Sequence, residues 1–501
     1  MLRLKPRQIG WAIAFAVLAA HLAVAGRYDF FRDELYFIVC GRHPAFGYVD
    51  QPPVVPLLAA ASQFFGEHLV LLRAIPALAA AGTVLMTCAL TTFCGGGALA
   101  VGLSGIAAGF TPMFLGLQTT LNTSTFDPLL WTAIVYFVAR ATSGEPRMWL
   151  WAGAMAGLDL EIKYELPLFL LPLFFGLVLA GKWRTLLDRR VALGLGVAVL
   201  LSLPSALWQL SHGLPFLEMM RAQAGGKNVA LAPAAFIANQ VLVMNPLFAP
   251  LWLAGFTAPF LLPKLLRLRF AALAFLLFFA LLLLLHAKDY YLAPAYASMF
   301  ASGAVAIEAW LRSLALRTVY VVAALGVSAV AAPVAMPILE PPVLAAYMRA
   351  LHLAPQATER LRQSELPQDF ADMVGWRSYV GTVAAVYRAL PAEERTKAAI
   401  FTGNYGEAAA LDFYGAPFGL PPALSGHNQY FLFGPRGYDG SVLIRVNEEP
   451  QKLARRCDSA VLGGRFGAPY AMPYENDAPI AICRGLHPPL GELWPQLKHF
   501  Y

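Results

Sequence analysis

Eleven apolar stretches of roughly membrane-spanning length, crowded into the first 339 residues, restrict what this chain can fold into more than any other feature. They lie near 8–25, 69–93, 97–116, 125–141, 148–161, 165–181, 191–208, 240–263, 270–286, 291–310 and 318–336. A bilayer core about 30 Å thick asks for about 20 apolar residues per helical crossing, and backbone polar groups inside it must be paired within the segment. Composition agrees: 58% of the 501 residues are hydrophobic and 13% charged, against about 25% charged in an ordinary soluble domain. A soluble or disordered protein is excluded. The change at Glu340 is abrupt, because residues 1–339 carry 22 Lys/Arg and 14 Asp/Glu whereas residues 340–501 carry 15 and 16. The net charge of +7 therefore sits in the apolar part, where it reports topology and contact with lipid. No nucleic-acid motif is present, and no nucleic-acid partner is expected.

With Arg3, Lys5 and Arg7 cytoplasmic, the basic groups Arg140/Arg147, Lys182 to Arg190, Lys264 to Arg269 and Arg312/Arg317 alternate with outer loops as the positive-inside rule requires. The start also resembles a signal peptide ending at Ala23-Val24-Ala25, but retention as an anchor is the favoured reading. The expected fold is an α-helical polytopic membrane protein of about eleven transmembrane helices over residues 1–339, followed by an exported soluble α/β domain over 340–501. The first outer loop, 26–68, carries the apolar segment 54–66 between Pro53 and Gly66, too short to span and read as a helix lying in the interface. In the tail, strand-like runs at 398–402, 441–446 and 459–462 alternate with helix-compatible stretches at 406–414 and 448–456, and Pro341, Pro342, Pro355 and Pro367 mark linker and helices before them. Cys40, Cys88 and Cys94 lie in or beside spans; Cys457 and Cys483 share the tail, as a disulfide or as free buried thiols. An inner-membrane, multi-pass location with a periplasmic tail follows from this reading.

Ionisable groups near hydrocarbon are costly, so those that are not cytoplasmic anchors call for a reason. Most fall on the outer side. The first loop holds Arg27, Asp29, Arg32, Asp33, Glu34, Arg42, His43 and Asp50 among seven aromatic residues, and outer span ends add Asp127, Asp159, Glu161, Lys163, Glu165, Lys288, Asp289, Tyr290 and Tyr291. Cations there can hold a phosphate by charge-assisted hydrogen bonds while a carboxylate takes a proton from a hydroxyl. The plainer alternative is interfacial ion pairing of Lys163 with Glu161 or Glu165, and of Lys288 with Asp289. In the tail, Gly403-Asn404-Tyr405-Gly406-Glu407 and Ser425-Gly426-His427-Asn428-Gln429-Tyr430 are local signals, the first read as a tight strand-to-helix turn before an anion site. Asp33, Glu34, Asp50 and His43 are also candidate ligands for a divalent metal, which loop spacing leaves undecided.

Four features follow one another along the chain: Arg32-Asp33-Glu34-Leu35-Tyr36; Asp50-Gln51-Pro52-Pro53, an acidic-x-Pro-Pro turn; Asn122 to Pro128 with Asp127, followed by Lys163; and Lys288-Asp289-Tyr290-Tyr291-Leu292-Ala293-Pro294. In this order they resemble the multi-span GT-C glycosyltransferases, in particular the protein-mannosyltransferase and aminoarabinose-transferase group that uses polyprenyl-phosphate sugars. The resemblance implies an inverting transfer of a sugar from a polyprenyl-phosphate donor to a hydroxyl acceptor on a lipid, glycan or protein. It implies Asp33 as base with Glu34 as orienter or second acid, Lys163, Lys288 and Tyr291 on the donor phosphate, and Asp50, Asp127 and Tyr290 organising the site. Two departures stand out: Leu35-Tyr36 where the aminoarabinose branch has an arginine, and Gln51 where it has a lysine. Arg32, Arg42 or Arg73 would then supply the missing positive charge, Arg32 first. The rival reading is a secondary transporter with a periplasmic domain, but its usual marks, inverted repeats and midplane charges, are not seen.

Overall fold

The computed structural model describes residues 5–226, 232–354 and 364–501, so Arg3 and Pro355 of the sequence reading lie outside the described residues. The chain is mostly helical, with several apolar helices and one small C-terminal sheet. It divides into two compact units, the first made of Met1–Gly26, Val70–Ala206 and Ala230–Ile338, the second of Arg27–Leu69, Leu207–Val229 and Leu339–Tyr501.

In the first unit each of the eleven apolar stretches contains helix, but among the described residues five helices are long and apolar enough to cross a membrane: Pro6–Val24, Leu69–Phe93, Arg189–Ser211, Pro263–Leu284 and Leu314–Ala335. A sixth is counted if Pro233–Val243 and Pro246–Leu261, bent by 93° at their junction, form one broken span. Proline accounts for much of the shortening. Pro112 ends the helix Ala98–Phe110, Pro128 and Pro167 sit in the first turns of Asp127–Ala141 and Leu166–Leu179, and Pro294 lies in the 3-10 turn Asp289–Ala295 ahead of Tyr296–Trp310. Helices of 13–15 residues such as these reach roughly 20–23 Å, less than the hydrocarbon thickness. Close packing rests on small residues: a Cβ on Gly303 would meet the Leu251 carbonyl oxygen at 1.8 Å, and one on Gly255 the Met299 oxygen at 1.9 Å. Aromatic rings fill the interior, with Trp131 stacked on Phe169 at 4.4 Å and Phe278 edge-on to Trp131 at 5.6 Å.

In the second unit the region 26–68 holds Val54–Ser62, inside the helix expected over 54–66, and a further helix that was not expected, Arg32–Arg42. Gly41 permits their approach, since a Cβ there would lie 2.0 Å from the Pro56 carbonyl oxygen. The first loop's aromatics are spent on the tail: Phe30 on Phe413 at 4.9 Å, Tyr36 on Tyr405 at 4.5 Å and Tyr28 on Phe370 at 5.6 Å. The apolar segment 54–66 ends in a turn where Phe64 and Phe65 are 82% and 79% exposed. Four strands form the sheet, β1 (Ala398–Phe401), β2 (Val442–Val446), β3 (Cys457–Phe466) and β4 (Ala478–Leu486), in the order β1-β2-β4-β3. β1 and β2 run parallel and the other neighbours antiparallel, with an irregularity between Leu462 and Gly464. Of the expected helices, 406–414 is found as Tyr405–Tyr414, whereas 448–456 shortens to Pro450–Leu453. Cys457 and Cys483 form a disulfide between β3 and β4, and Cys40, Cys88 and Cys94 are free and buried.

Candidate functional site

Each unit gathers its own set of charged side chains. In the second unit, Arg32, Asp33 and Glu34 form the first turn of the helix Arg32–Arg42. Glu34, fully buried, turns back to accept the Phe31 N–H at 2.9 Å and so closes the helix end. Asp33 accepts the Tyr405 phenol at 2.8 Å. Asp50 accepts the Tyr36 phenol at 2.8 Å and the Asn428 amide at 3.1 Å. Desolvation pushes the Asp50 carboxyl up from 3.8 to about 6; the nearby Asp33 charge adds to this and the hydrogen bonds from Tyr36 and Asn428 oppose it.

Arg32, expected on the donor phosphate, is engaged inside this unit. Its guanidinium donates to Tyr474 Oη at 2.5 Å and to Asn404 Oδ1 at 3.2 Å, and lies 3.7 Å from Asp372 and 3.9 Å from Glu475. It also covers the Tyr405 ring at 5.0 Å. Burial raises both the Asp372 and Glu475 carboxyls, and the Arg32 charge acts against it. Arg42 sits over the Phe413 ring at 5.2 Å, and the buried Arg73, in the first unit, donates to the Ala25 carbonyl at 3.2 Å. Gln51, at the position where a lysine was missed, is buried with its amide nitrogen unpaired.

The metal reading finds no support in this geometry. Glu34 caps a helix, Asp33 and Asp50 accept phenols, and His43 Nδ1 faces the Val39 carbonyl at 3.1 Å. Among the described residues no group of three or more His, Cys, Asp or Glu is arranged to hold a metal ion.

The first unit builds its set around Lys163. Asn122 accepts the Ser124 N–H at 2.9 Å and caps the turn Thr123–Phe126, which leads into Asp127 at the head of its helix. That turn presents Ser124 Oγ to Lys163 Nζ at 2.7 Å, with Asp127 Oδ2 at 3.4 Å and Glu165 paired directly to the same ammonium. Tyr291 and Tyr290 complete the surround, their ring centres 5.2 and 5.8 Å from Nζ. Asp159 accepts the Trp131 indole at 3.1 Å, while one oxygen of Asp127 and one of Asp159 are buried without a hydrogen-bond partner. Glu161 is turned away to Ser205 at 2.6 Å. Lys288 precedes the turn Asp289–Ala295, in which Asp289 is held by Asn239 at 3.2 Å. The structure thus joins Lys163, Asp127, Tyr290 and Tyr291, as the sequence motifs suggested. Glu165, weighed as an ion-pair partner, is part of the same set, and Ser124 is added.

What sequence reading missed is the second unit's Asp372, Tyr474 and Glu475, together with Tyr405, Tyr36 and Asn428 as carboxylate partners. Two local signals contained some of them. Gly403 to Glu407 is a capped helix start, where Asn404 Oδ1 accepts the Glu407 N–H at 2.9 Å and Glu407 accepts the Gly403 N–H at 2.9 Å, and Asn428 belongs to the second quoted motif.

Comparison with known proteins points one way. Residues 50–208 match the family described as dolichyl-phosphate-mannose-protein mannosyltransferase, a stretch that contains Asp50, Asp127 and Lys163. Two solved structures of ArnT from Cupriavidus metallidurans share the fold. The one bound to undecaprenyl phosphate has a TM-score of 0.59 at 14% identity, and the apo form 0.60 at 13%; each match covers 94% of this chain and 96% of that one. No curated protein sequence matches at a significant level. The family match is confined to residues 50–208, and the likeness to the two ArnT structures, at 13–14% identity, is one of fold.

Proposed function

We propose that this protein moves a sugar from a polyprenyl phosphate to a hydroxyl group of a lipid, glycan or protein on the outer face of the inner membrane, with inversion at the anomeric carbon. Asp33 takes the hydroxyl proton as the acceptor oxygen bonds to the anomeric carbon. The bond from that carbon to the phosphate oxygen breaks and the polyprenyl phosphate leaves with the electron pair. An oxocarbenium-like barrier of this kind depends on stabilising the leaving charge. Lys163, Lys288 and Tyr291 meet the phosphate, with Asp127 and Tyr290 ordering Lys163; the phosphate displaces Glu165 from the ammonium. Glu34 orients Asp33 by closing its helix, Asp50 organises the neighbouring turn, and Arg32 holds the same helix through Asp372 and Glu475.

The observation that carries this reading is the family match over 50–208, which spans Asp50, Asp127 and Lys163. The ArnT structure bound to undecaprenyl phosphate supports a donor of that lipid class. The eleven-crossing topology, the division into a membrane part (1–339) and an exported soluble α/β domain (340–501), and the segment 54–66 in the interface belong to the same proposal, supported by the alternation of basic loops and by the exposed Phe64 and Phe65. The test has two parts. Mass spectrometry of lipids and protein glycans from cells with and without the protein should show one sugar modification lost. The purified full chain in nanodiscs, given undecaprenyl-phosphoryl mannose or its aminoarabinose counterpart and a lipid extract of the host cells, should release undecaprenyl phosphate. Unchanged glycan and lipid profiles together with no release from either donor would reject the assignment.

A further inference from the structure

We infer that Tyr405 is a positioning residue for the transfer: its phenol, delivered by the C-terminal part of the chain, fixes the Asp33 carboxylate and sets the pH at which that carboxylate becomes a base. The inference rests on the assignment of Asp33 as base and adds to it the group that tunes the base. Tyr405 Oη donates to Asp33 Oδ1 at 2.8 Å across 372 residues of sequence. Its ring is clamped on three sides, by Tyr36 at 4.5 Å, by the Arg32 guanidinium at 5.0 Å and by His427 at 4.8 Å.

The backbone that carries it is fixed as well. Asn404 Oδ1 caps the helix Tyr405–Tyr414 and also accepts from Arg32 at 3.2 Å. Gly406 leaves room for that arginine, since a Cβ there would lie 3.1 Å from Arg32 Nε. The Gly403 to Glu407 motif is therefore a holder for the Arg32-Asp33 turn. Burial first, and the Asp33 charge second, keep the phenol protonated well above its ordinary range, so it remains a donor at any working pH. A hydrogen bond given to a carboxylate favours the charged form. Asp50 beyond that helix and Asp372 after the short helix Gln368–Ala371 also act on Asp33 electrostatically, and Arg32 precedes it on its own helix. Tyr405→Phe keeps the ring that Arg32 covers and leaves all three of these groups in the chain.

The experiment is an infrared titration of the full chain in nanodiscs, with the Asp33 carboxyl band assigned by its loss in Asp33→Asn. Tyr405→Phe should raise the midpoint of that band by about one pH unit, the shift expected on losing a hydrogen bond to a charged group. The low-pH limb of undecaprenyl phosphate release should move with it. Placing a monofluorinated tyrosine at position 405 keeps the ring and strengthens the donor, so the midpoint should fall; this arm also covers a Tyr405→Phe chain that folds poorly. Tyr430→Phe, which removes another phenol of the same unit, buried and bonded to Asp412 at 3.0 Å, should cost stability and leave the Asp33 midpoint unmoved. A midpoint unchanged in both position-405 variants, or moved equally by Tyr430→Phe, overturns the inference. Persistent turnover in Asp33→Asn would instead overturn the base assignment, so the two failures are distinguishable.

Discussion

Two carboxylates of the second unit are each held by a phenol, Asp33 by Tyr405 and Asp50 by Tyr36, with the Asn428 amide also on Asp50. Asp33→Asn should abolish transfer while the thermal midpoint stays close to wild type, because the amide oxygen still accepts the Tyr405 phenol but cannot take a proton. Donor release measured beside a melting curve checks both halves. At Lys163 the expected pattern differs. Its ammonium is shared by Asp127, Glu165 and Ser124, so Lys163→Ala should weaken donor binding by about 1.5–3 kcal/mol, roughly ten- to a hundredfold, and also destabilise the fold by stranding Asp127. Glu165→Gln should do the opposite to the donor, tightening undecaprenyl phosphate in a binding titration because the competing carboxylate charge is gone. A neutral effect would mean that the phosphate does not displace Glu165. Asp50 makes a pH prediction. Its folded value of about 6 exceeds its ordinary 3.8, so the folded state binds the extra proton; this contribution to stability is full below about pH 4 and lost as pH rises through about 6. The melting temperature should fall across that window, and less steeply in Asp50→Asn.

At the level of elements, the helix Arg32–Arg42 depends on one buried carboxylate to close its first turn. Glu34→Ala should destabilise by about 1–2 kcal/mol in a denaturation series, as loss of a cap does, while Glu34→Gln keeps an acceptor for the Phe31 N–H and most of the turnover. A collapse of turnover in Glu34→Gln with stability intact would make Glu34 a second acid instead. The disulfide closes a separation of 26 residues, and reducing it should cost the sheet about 3–4 kcal/mol by the loop-entropy relation, read as a lower melting temperature in reductant. Much of this level was legible in the sequence. The runs at 398–402, 441–446 and 459–462 coincide with β1, β2 and part of β3, because strand periodicity is local. β4 was not seen, since Pro479 near its start reads as a strand breaker although it is tolerated at the beginning of a strand. The helix Arg32–Arg42 was hidden for a different reason. Its charges and aromatics look like an active loop, and the partners that make helix the cheaper state are Tyr405, Asp372 and Tyr474, the last 442 residues away. Periodicity carries no information at that distance. The turn from Asn122 to Asp127 and the approach of Lys163 to Tyr291 were legible in part, because the motifs that suggested them come in a fixed order.

For the molecule as a whole, the apolar stretches gave the helices but not all their lengths, since Pro112 and Pro294 divide runs that hydropathy alone reads as continuous, whereas Pro128 and Pro167 mark helix starts. The proposed topology makes its own prediction. Reporter fusions ending near Asp50 and near Tyr501 should both read as exported, and a cytoplasmic signal from either would mean a miscounted crossing, most readily at the short helices Met148–Leu160 and Leu166–Leu179. The bond between Tyr405 and Asp33 has one more consequence, in the time domain of synthesis. A ribosome adding about 5–20 residues per second takes roughly 20–75 s to cover the 372 residues between them. Throughout that interval the nascent polypeptide carries its acidic helix with neither the phenol nor the arginine clamp in place. Products of interrupted translation that end before Tyr405 therefore carry Asp33 without its phenol.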